Sequence, residues 1–592
     1  MDKVLSWRNA LKKVADLAGW NSHDISLQYF LNAHHAQSKT NGNQPQGTIN
    51  VEGLFLNTGE VREMHLNPTV FLKMYNLRLP KIYGKYDTGY VWCAVFPHNL
   101  VQLDMPNSQV EQLWNGVQDL TNLRSINLSG SVQLTQIPDL SRASNIEVAN
   151  FGDCKNLLQV PSFQHLEKLS ELRLYGCSSL DKFPLLPRNI KWLSLGFTAI
   201  EQVHSSEIDS LSSLEHFELN DCIRLKCLPS SIMLKSVTTF NLSGCTKLKK
   251  FPEISEPMEY LTMLSLDRIG VKELPSSIEN LIKLTRLHLC DCQDLESLPN
   301  SIRNLNSLTE LLIYFCTKLV YIPQLPSSVR YLDAKCCTSL KMVSSSMTSF
   351  ERDWYERSCQ EQLVFKDCLK LDHEARNNIM VDAQFRILRM AIVSSKYGLE
   401  SYFDSRSEIC WPTDEIPAWF SYQSEGSSLS IEISHDCLSN NFLGVALCTI
   451  VDFEDDHSDY YEFCCKSSFI TADGRDTMFW QHFWYGNFWY HLPGRDRNIV
   501  IMKSNHAFLV HSGSSFIEFL KAKEEEYGIN NWHCSTTTSF HFSMLVENGQ
   551  PAKGIKVKKC GVHFLYAQDA EKFRINVSQN PKSSKFFPLG NV

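Results

Sequence analysis

Residues able to do chemistry are plentiful in this chain, and their spacing decides what they can do. Cys154, Cys177, Cys222, Cys245, Cys292, Cys316 and Cys337 recur at one position of a repeated pattern. A zinc site needs locally paired ligands such as CxxC or CxxH, and copies set one repeat apart lack that pairing. They read instead as small, buried, inert thiols, following the burial tendency of free cysteine. Asp452, Glu454, Asp455, Asp456 and Asp459 cluster carboxylates that could hold calcium. The run lacks the spacing and glycine of an EF-hand loop, so a solvated loop is the simpler reading. Phe479-Trp480, Phe483-Trp484-Tyr485 and Phe488-Trp489-Tyr490 place eight aromatics in twelve residues. One strand face cannot bury so many. Either they form core plus a packed loop, or they form an aromatic surface for a protein or ligand. The chain has no GxxxxGK[ST] phosphate loop, GxSxG elbow, HExxH helix or kinase set. Its histidines form no triad by spacing. No catalytic residue, cofactor or metal ligand is expected from these motifs, and no enzyme.

The elements that position these residues follow from one period. Leu123, Ile126, Leu128, Leu134 and Ile137-Pro138 return as Ile146, Ala149, Phe151, Cys154, Leu157 and Val160-Pro161. They return again as Leu169, Leu172, Leu174, Cys177, Leu180 and Phe183-Pro184. Units begin at 100, 123, 146, 169, 190, 214, 237, 261, 284, 308 and 329, giving eleven with steps of 21 to 24 residues. LxxLxLxxCxxLxxLP is the pattern of a leucine-rich repeat. Each LxL segment is a short strand whose leucines point inward, and stacked units share a core no single unit could bury. The proline suits the convex return, where no ladder donor is needed. The strand residues between face solvent on the concave side. There, outward positions carry Tyr175, Trp192, His216, Arg286, His288, Tyr314 and Tyr331. These are types enriched at binding hot spots. With Trp480, Trp484, Tyr485 and Trp489 they are the candidate protein-binding residues.

The expected fold is an α/β leucine-rich-repeat solenoid, a horseshoe, followed by a mainly-β sandwich or jelly-roll domain. Residues 1–20 have the apolar spacing of an amphipathic helix, and 32–48 read as a polar linker. Residues 49–99 read as a cap on the solenoid, made irregular by Pro80, and 100–350 as about eleven repeats. Residues 351–408 connect, with a helix over 373–391 whose stripe is Ala375, Ile379, Ala383, Ile387 and Met390. Strands at 428–433, 443–451, 539–546 and 556–566 place a β-sandwich over 409–580, leaving 581–592 as a disordered tail.

Composition narrows the function. Among 592 residues, 57 Lys plus Arg against 65 Asp plus Glu leave a net charge of −8. That argues against nucleic acid bound through overall charge. No run approaches the length of a transmembrane helix, and the N-terminus has no continuous apolar segment of a secretory signal. Without such a signal the 20 cysteines read as free thiols.

Particular stretches carry a family likeness. Val4-Leu5-Ser6-Trp7-Arg8-Asn9-Ala10-Leu11 through Gly19-Trp20 resembles the last helix of a TIR domain. Val51-Glu52-Gly53-Leu54-Phe55-Leu56, then Phe71-Leu72-Lys73-Met74-Tyr75-Asn76-Leu77-Arg78-Leu79, resembles a junction into repeats. Asn99-Leu100-Val101-Gln102-Leu103 through Leu113-Trp114 is similar to a first full repeat. Glu415-Ile416-Pro417-Ala418-Trp419-Phe420 and Lys558-Lys559-Cys560-Gly561-Val562-His563 resemble the start and end of a post-repeat jelly-roll or Ig-like module, the C-JID. Together they resemble plant TIR–NBS–LRR intracellular disease-resistance proteins. Relative to that family, residues 1–31 are a TIR remnant without its catalytic region. The nucleotide-binding switch, with its phosphate loop and Met-His-Asp motif, does not occur. The resemblance implies recognition of a pathogen effector protein by the repeats and the C-terminal domain, in the cytoplasm or nucleus. It implies no membrane and no nucleic acid, and no NAD cleavage by this chain itself. The alternatives are a regulator or decoy that pairs with a full-length receptor, and a fragment of an NAD-cleaving receptor.

Overall fold

The computed structural model describes residues 53–57, 76–83, 95–346, 361–397, 408–432, 441–453, 460–471, 474–486, 504–527, 537–546, 550 and 554–571. The helix and linker expected over 1–48 lie outside the described residues. The chain forms two compact units, residues 1–294 and 295–592.

The first unit is a stack of coils. Three-residue strands such as Ser125–Asn127, Val148–Asn150, Glu171–Arg173, Trp192–Ser194 and His216–Glu218 pair in parallel, one per coil. The register aligns equivalent residues, so Ile126, Ala149, Leu172, Leu193 and Phe217 stack inward and are fully buried. Phe217 and Phe240 of adjacent coils stack with centroids 5.1 Å apart. Pro80, read from sequence as a break, sits in the strand Leu79–Tyr83 opposite Leu54 of Gly53–Asn57.

Each strand leaves through a turn that the sequence repeats. The residue before the repeat-position cysteine, or before its counterpart, is left-handed in coil after coil: Asp153, Gly176, Phe197, Asp221, Gly244, Arg268 and Asp291 all have positive φ. Asn127, Asn150 and Asn241 accept a hydrogen bond from the amide two residues on, closing the strand end. The buried cysteines then have a second role. Each thiol donates to a backbone carbonyl of the preceding coil: Cys154 to Leu128, Cys177 to Phe151, Cys222 to Leu195 and Cys245 to Leu219, at 3.1–3.3 Å. Each of these carbonyls also accepts a bond from its own turn, so the small thiol adds a weak second bond that ties adjacent coils.

In the second unit the ladder runs through Glu310–Leu312, Tyr331–Asp333 and Gln362–Val364. It therefore passes residue 350, the limit read from the sequence, and Cys368 repeats the thiol bond by donating to Ala334 O. The helix His373–Tyr397 follows, with Ala375, Ile379, Ala383, Ile387 and Met390 buried. Arg386 ties it down: its guanidinium reaches Glu361 at 2.7 Å and the carbonyls of Arg330 and Val329.

Glu408–Pro412 pairs in parallel with Gln362–Val364 and antiparallel with His506–Ser512. That sheet continues through Phe442–Phe453, Ile555–Tyr566 and Tyr422–Glu425, all antiparallel. A second antiparallel sheet orders Ser428–Glu432, Thr537–Val546, Tyr460–Ile470 and Asp476–Gly486. Leu447, Phe508, Val510 and Val562 of the first sheet share one core with Phe463, Cys465, Phe540 and Phe542 of the second. Phe442–Phe453 is buried along nearly its whole length, since the long helix packs on it as well.

Candidate protein-binding surface

The coils spanning 148–224 build a surface that borders a cavity. At the strand ends, Asp153, Gly176 and Asp221 fill the left-handed position with residue types that tolerate it, but Phe197 fills it at φ +58°. A bulky aromatic there costs about 1–3 kcal/mol, a cost that clusters at functional sites. Phe197 is 37% exposed and meets Tyr175, 39% exposed, edge to face with centroids 5.0 Å apart. The pair borders a cavity of about 720 Å³ whose rim adds Ile223, Lys155, Asp153, Asp221 and Arg224. Burial pushes the Tyr175 hydroxyl pKa up, and the Asp153 and Asp221 carboxylates push it further. The phenol therefore stays a neutral donor at neutral pH. The site thus combines apolar rings with both signs of charge.

The adjoining sheet face continues it. Trp192 lies over His216 with centroids 4.3 Å apart, and the Arg173 guanidinium sits 5.9 Å from the Trp192 ring. Glu171 holds Arg173 at 2.5 Å, and His216 Nδ1 is 2.8 Å from the Thr239 hydroxyl. The rings are pre-positioned, which lowers the entropy cost of burying them in a partner. The structure thus brings Tyr175, Trp192 and His216 together in successive coils. Arg286 is exposed and His288 half-buried in their own strand of the same unit.

Other expected anchors fare differently. Tyr331 is half-buried in Tyr331–Asp333. Tyr314 is a correction: it is only 5% exposed, with Lys335 Nζ 4.7 Å from its ring centroid and Phe315 against its edge. It packs within the unit and offers too little surface for an anchor. Trp480 is 52% exposed beneath the Lys466 ammonium, 5.5 Å from the ring centroid. Trp484 and Tyr485 share its strand, but their side chains lie outside the described residues, as does Trp489. Of the acidic cluster, Asp452 pairs with Lys558 at 2.6 Å, and the remaining members lie outside the described residues. Phe197 and Ile223 were missed as candidates. The signal was present, as a phenylalanine at a turn position that glycine or aspartate fills in neighbouring coils.

Comparison with known proteins agrees with this architecture. A C-JID domain model matches residues 411–571 and a Leucine Rich Repeat model matches 99–118. The chain is 30% identical over 587 residues to the disease resistance protein RPS4B of Arabidopsis thaliana, covering 89% of this chain and 46% of that protein. It is 28% identical to the disease resistance-like protein DSC1 and to the disease resistance protein RPP2B of the same plant, covering 88% of this chain. The chain spans about half the length of these relatives. Among solved structures, a Leptospira interrogans LRR protein aligns with TM-score 0.34 and 19% identity, covering 61% of this chain and 85% of that one. Among the described residues no helix is long and apolar enough to cross a membrane. Two of these relatives are disease resistance proteins and the third is disease resistance-like. In its repeats, its C-terminal module and these relatives, the chain is similar to the plant TIR–NBS–LRR disease resistance proteins.

Proposed function

We propose that the chain recognises a pathogen effector protein, burying Tyr175, Phe197, Trp192 and His216 in the partner. The observation that carries this reading is the exposed Tyr175–Phe197 pair beside its cavity, with Phe197 held in a costly left-handed turn. The repeats, taken as 100–350, supply this face. Trp480 in the C-terminal domain, taken as 409–580, supplies a second contact. Recognition takes place in the cytoplasm or nucleus, and this chain contributes binding rather than catalysis.

The test is surface plasmon resonance of the purified chain against candidate effectors, with Tyr175→Ala and Phe197→Ala alongside. Aromatic hot spots lose about 2 kcal/mol or more on truncation, so a bound effector should weaken roughly 30-fold. An effector bound with unchanged affinity by both variants refutes this surface. If effectors fail and a full-length relative binds, the regulator reading replaces this one.

A further inference from the structure

On the four-stranded sheet, Phe463 and Cys465 point into the core, so Glu462 and Cys464 point to the opposite face. The hairpin register sets His482 directly across from Cys464. His482 Nδ1 lies 2.8 Å from Glu462 Oε1 and 3.2 Å from Cys464 Sγ. The three donor atoms lie within 4.8 Å of one another. We propose that Glu462, Cys464 and His482 form a zinc-class divalent metal site that clamps the hairpin Tyr460–Ile470 and Asp476–Gly486.

Three arguments carry it. One nitrogen faces both partners. If Nδ1 carries its proton toward Glu462, it cannot accept from the Cys464 thiol, and if it accepts from the thiol it loses Glu462. A cation at the common point satisfies all three. Second, thiolate, imidazole and carboxylate are the ligand types zinc takes, and donors about 3.5 Å apart suit its tetrahedron. The two separations to His482 Nδ1, 2.8 and 3.2 Å, need to open by about 0.7 and 0.3 Å to reach that spacing. Third, a thiolate and a carboxylate neutralise a dication. The exposed side of His482 leaves a position for water as fourth ligand. Binding replaces the Cys464 S–H bond with an S–metal bond and releases its proton to solvent.

The experiment uses the full chain, stripped with a chelator and titrated with Co²⁺, then Zn²⁺. One equivalent should give a thiolate-to-cobalt charge-transfer band that Zn²⁺ removes. Cys464→Ser and His482→Ala should abolish that band, and Glu462→Gln should weaken binding at least tenfold. The repeat cysteines give a background common to all variants. Zn²⁺ should also shield Cys464 from alkylation, read by peptide mass spectrometry on the unmutated chain. Equal stoichiometry in His482→Ala, or an unchanged band in Cys464→Ser, overturns the proposal.

Discussion

Replacing Gly176 by alanine tests whether the coil turns, and the cavity they border, are set by sterics at the left-handed position. Gly176 has φ +76°, and a Cβ there would lie 2.2 Å from Asp153 Oδ1 and 3.2 Å from Asp153 Cα of the preceding coil. Gly116 has nearly the same φ, +69°, with nothing within 4 Å of an added Cβ. The two substitutions share the conformational cost of alanine in this region, about 1–2 kcal/mol. Only Gly176→Ala also overpacks the turn, for about 1–3 kcal/mol more. Removing the Asp153 side chain leaves only the milder approach to the backbone of residue 153. Gly176→Ala measured in an Asp153→Gly background should therefore fall back toward the Gly116→Ala cost. The assay is hydrogen–deuterium exchange of peptides covering 150–200 and of the coil holding Gly116, with urea unfolding alongside. Equal loss of protection for Gly116→Ala and Gly176→Ala, each in its own coil, would refute the steric argument. So would a penalty that survives in the Asp153→Gly background.

Arg386→Ala should destabilise the second unit by about 1–3 kcal/mol, because it frees the carbonyls of Arg330 and Val329 while Arg389 still pairs with Glu361. Arg386→Lys should recover little in the same urea melt, since a point charge cannot reach all three acceptors at once. Acid should weaken the same unit in a defined window. His506 Nδ1 donates to Ser504 O while Nε2 accepts from the Asp367 amide, so the buried ring is neutral. Burial holds His506 and His511 down at about 4, against 6.5 in an unfolded chain. The unfolded state then binds more protons between those values, so stability falls as pH drops from about 6.5 to 4 and is complete above it. Each ring contributes up to about 3 kcal/mol. Melts that stay flat from pH 7 to 4.5 would contradict the buried neutral rings.

The repeats were legible because one period governs burial, and Leu172, Leu193 and Phe217 had to stack once their register was fixed. The helix stripe from Ala375 to Met390 was legible for the same reason, as spacing on one face. The coil at Gln362–Val364 was not, since some thirty residues rather than 21 to 24 separate it from Tyr331–Asp333 and hide the period. Nor could periodicity show that Cys464 faces His482: eighteen residues separate them, and only the register of one hairpin brings them together.

Tyr175 and Tyr314 mark where reading by repeat position fails, and why. Both stand two residues before a cysteine, Cys177 and Cys316, and both read as outward anchors. In a stack, however, a side chain's cover comes from the equivalent position one coil away. For Tyr314 the next coil supplies Lys335, whose ammonium folds over the ring. For Tyr175 the equivalents on either side are Gly152 and Gly196, so no side chain at the stacked position covers it, and Phe197 of the next coil meets only its edge. A Cβ at Gly196 would lie 2.5 Å from Asn220 Oδ1, so the packing itself keeps that position bare. Exposure of an aromatic on this face is therefore a property of three coils rather than of one. Tyr175 stays exposed because glycine is its stacked neighbour on both sides.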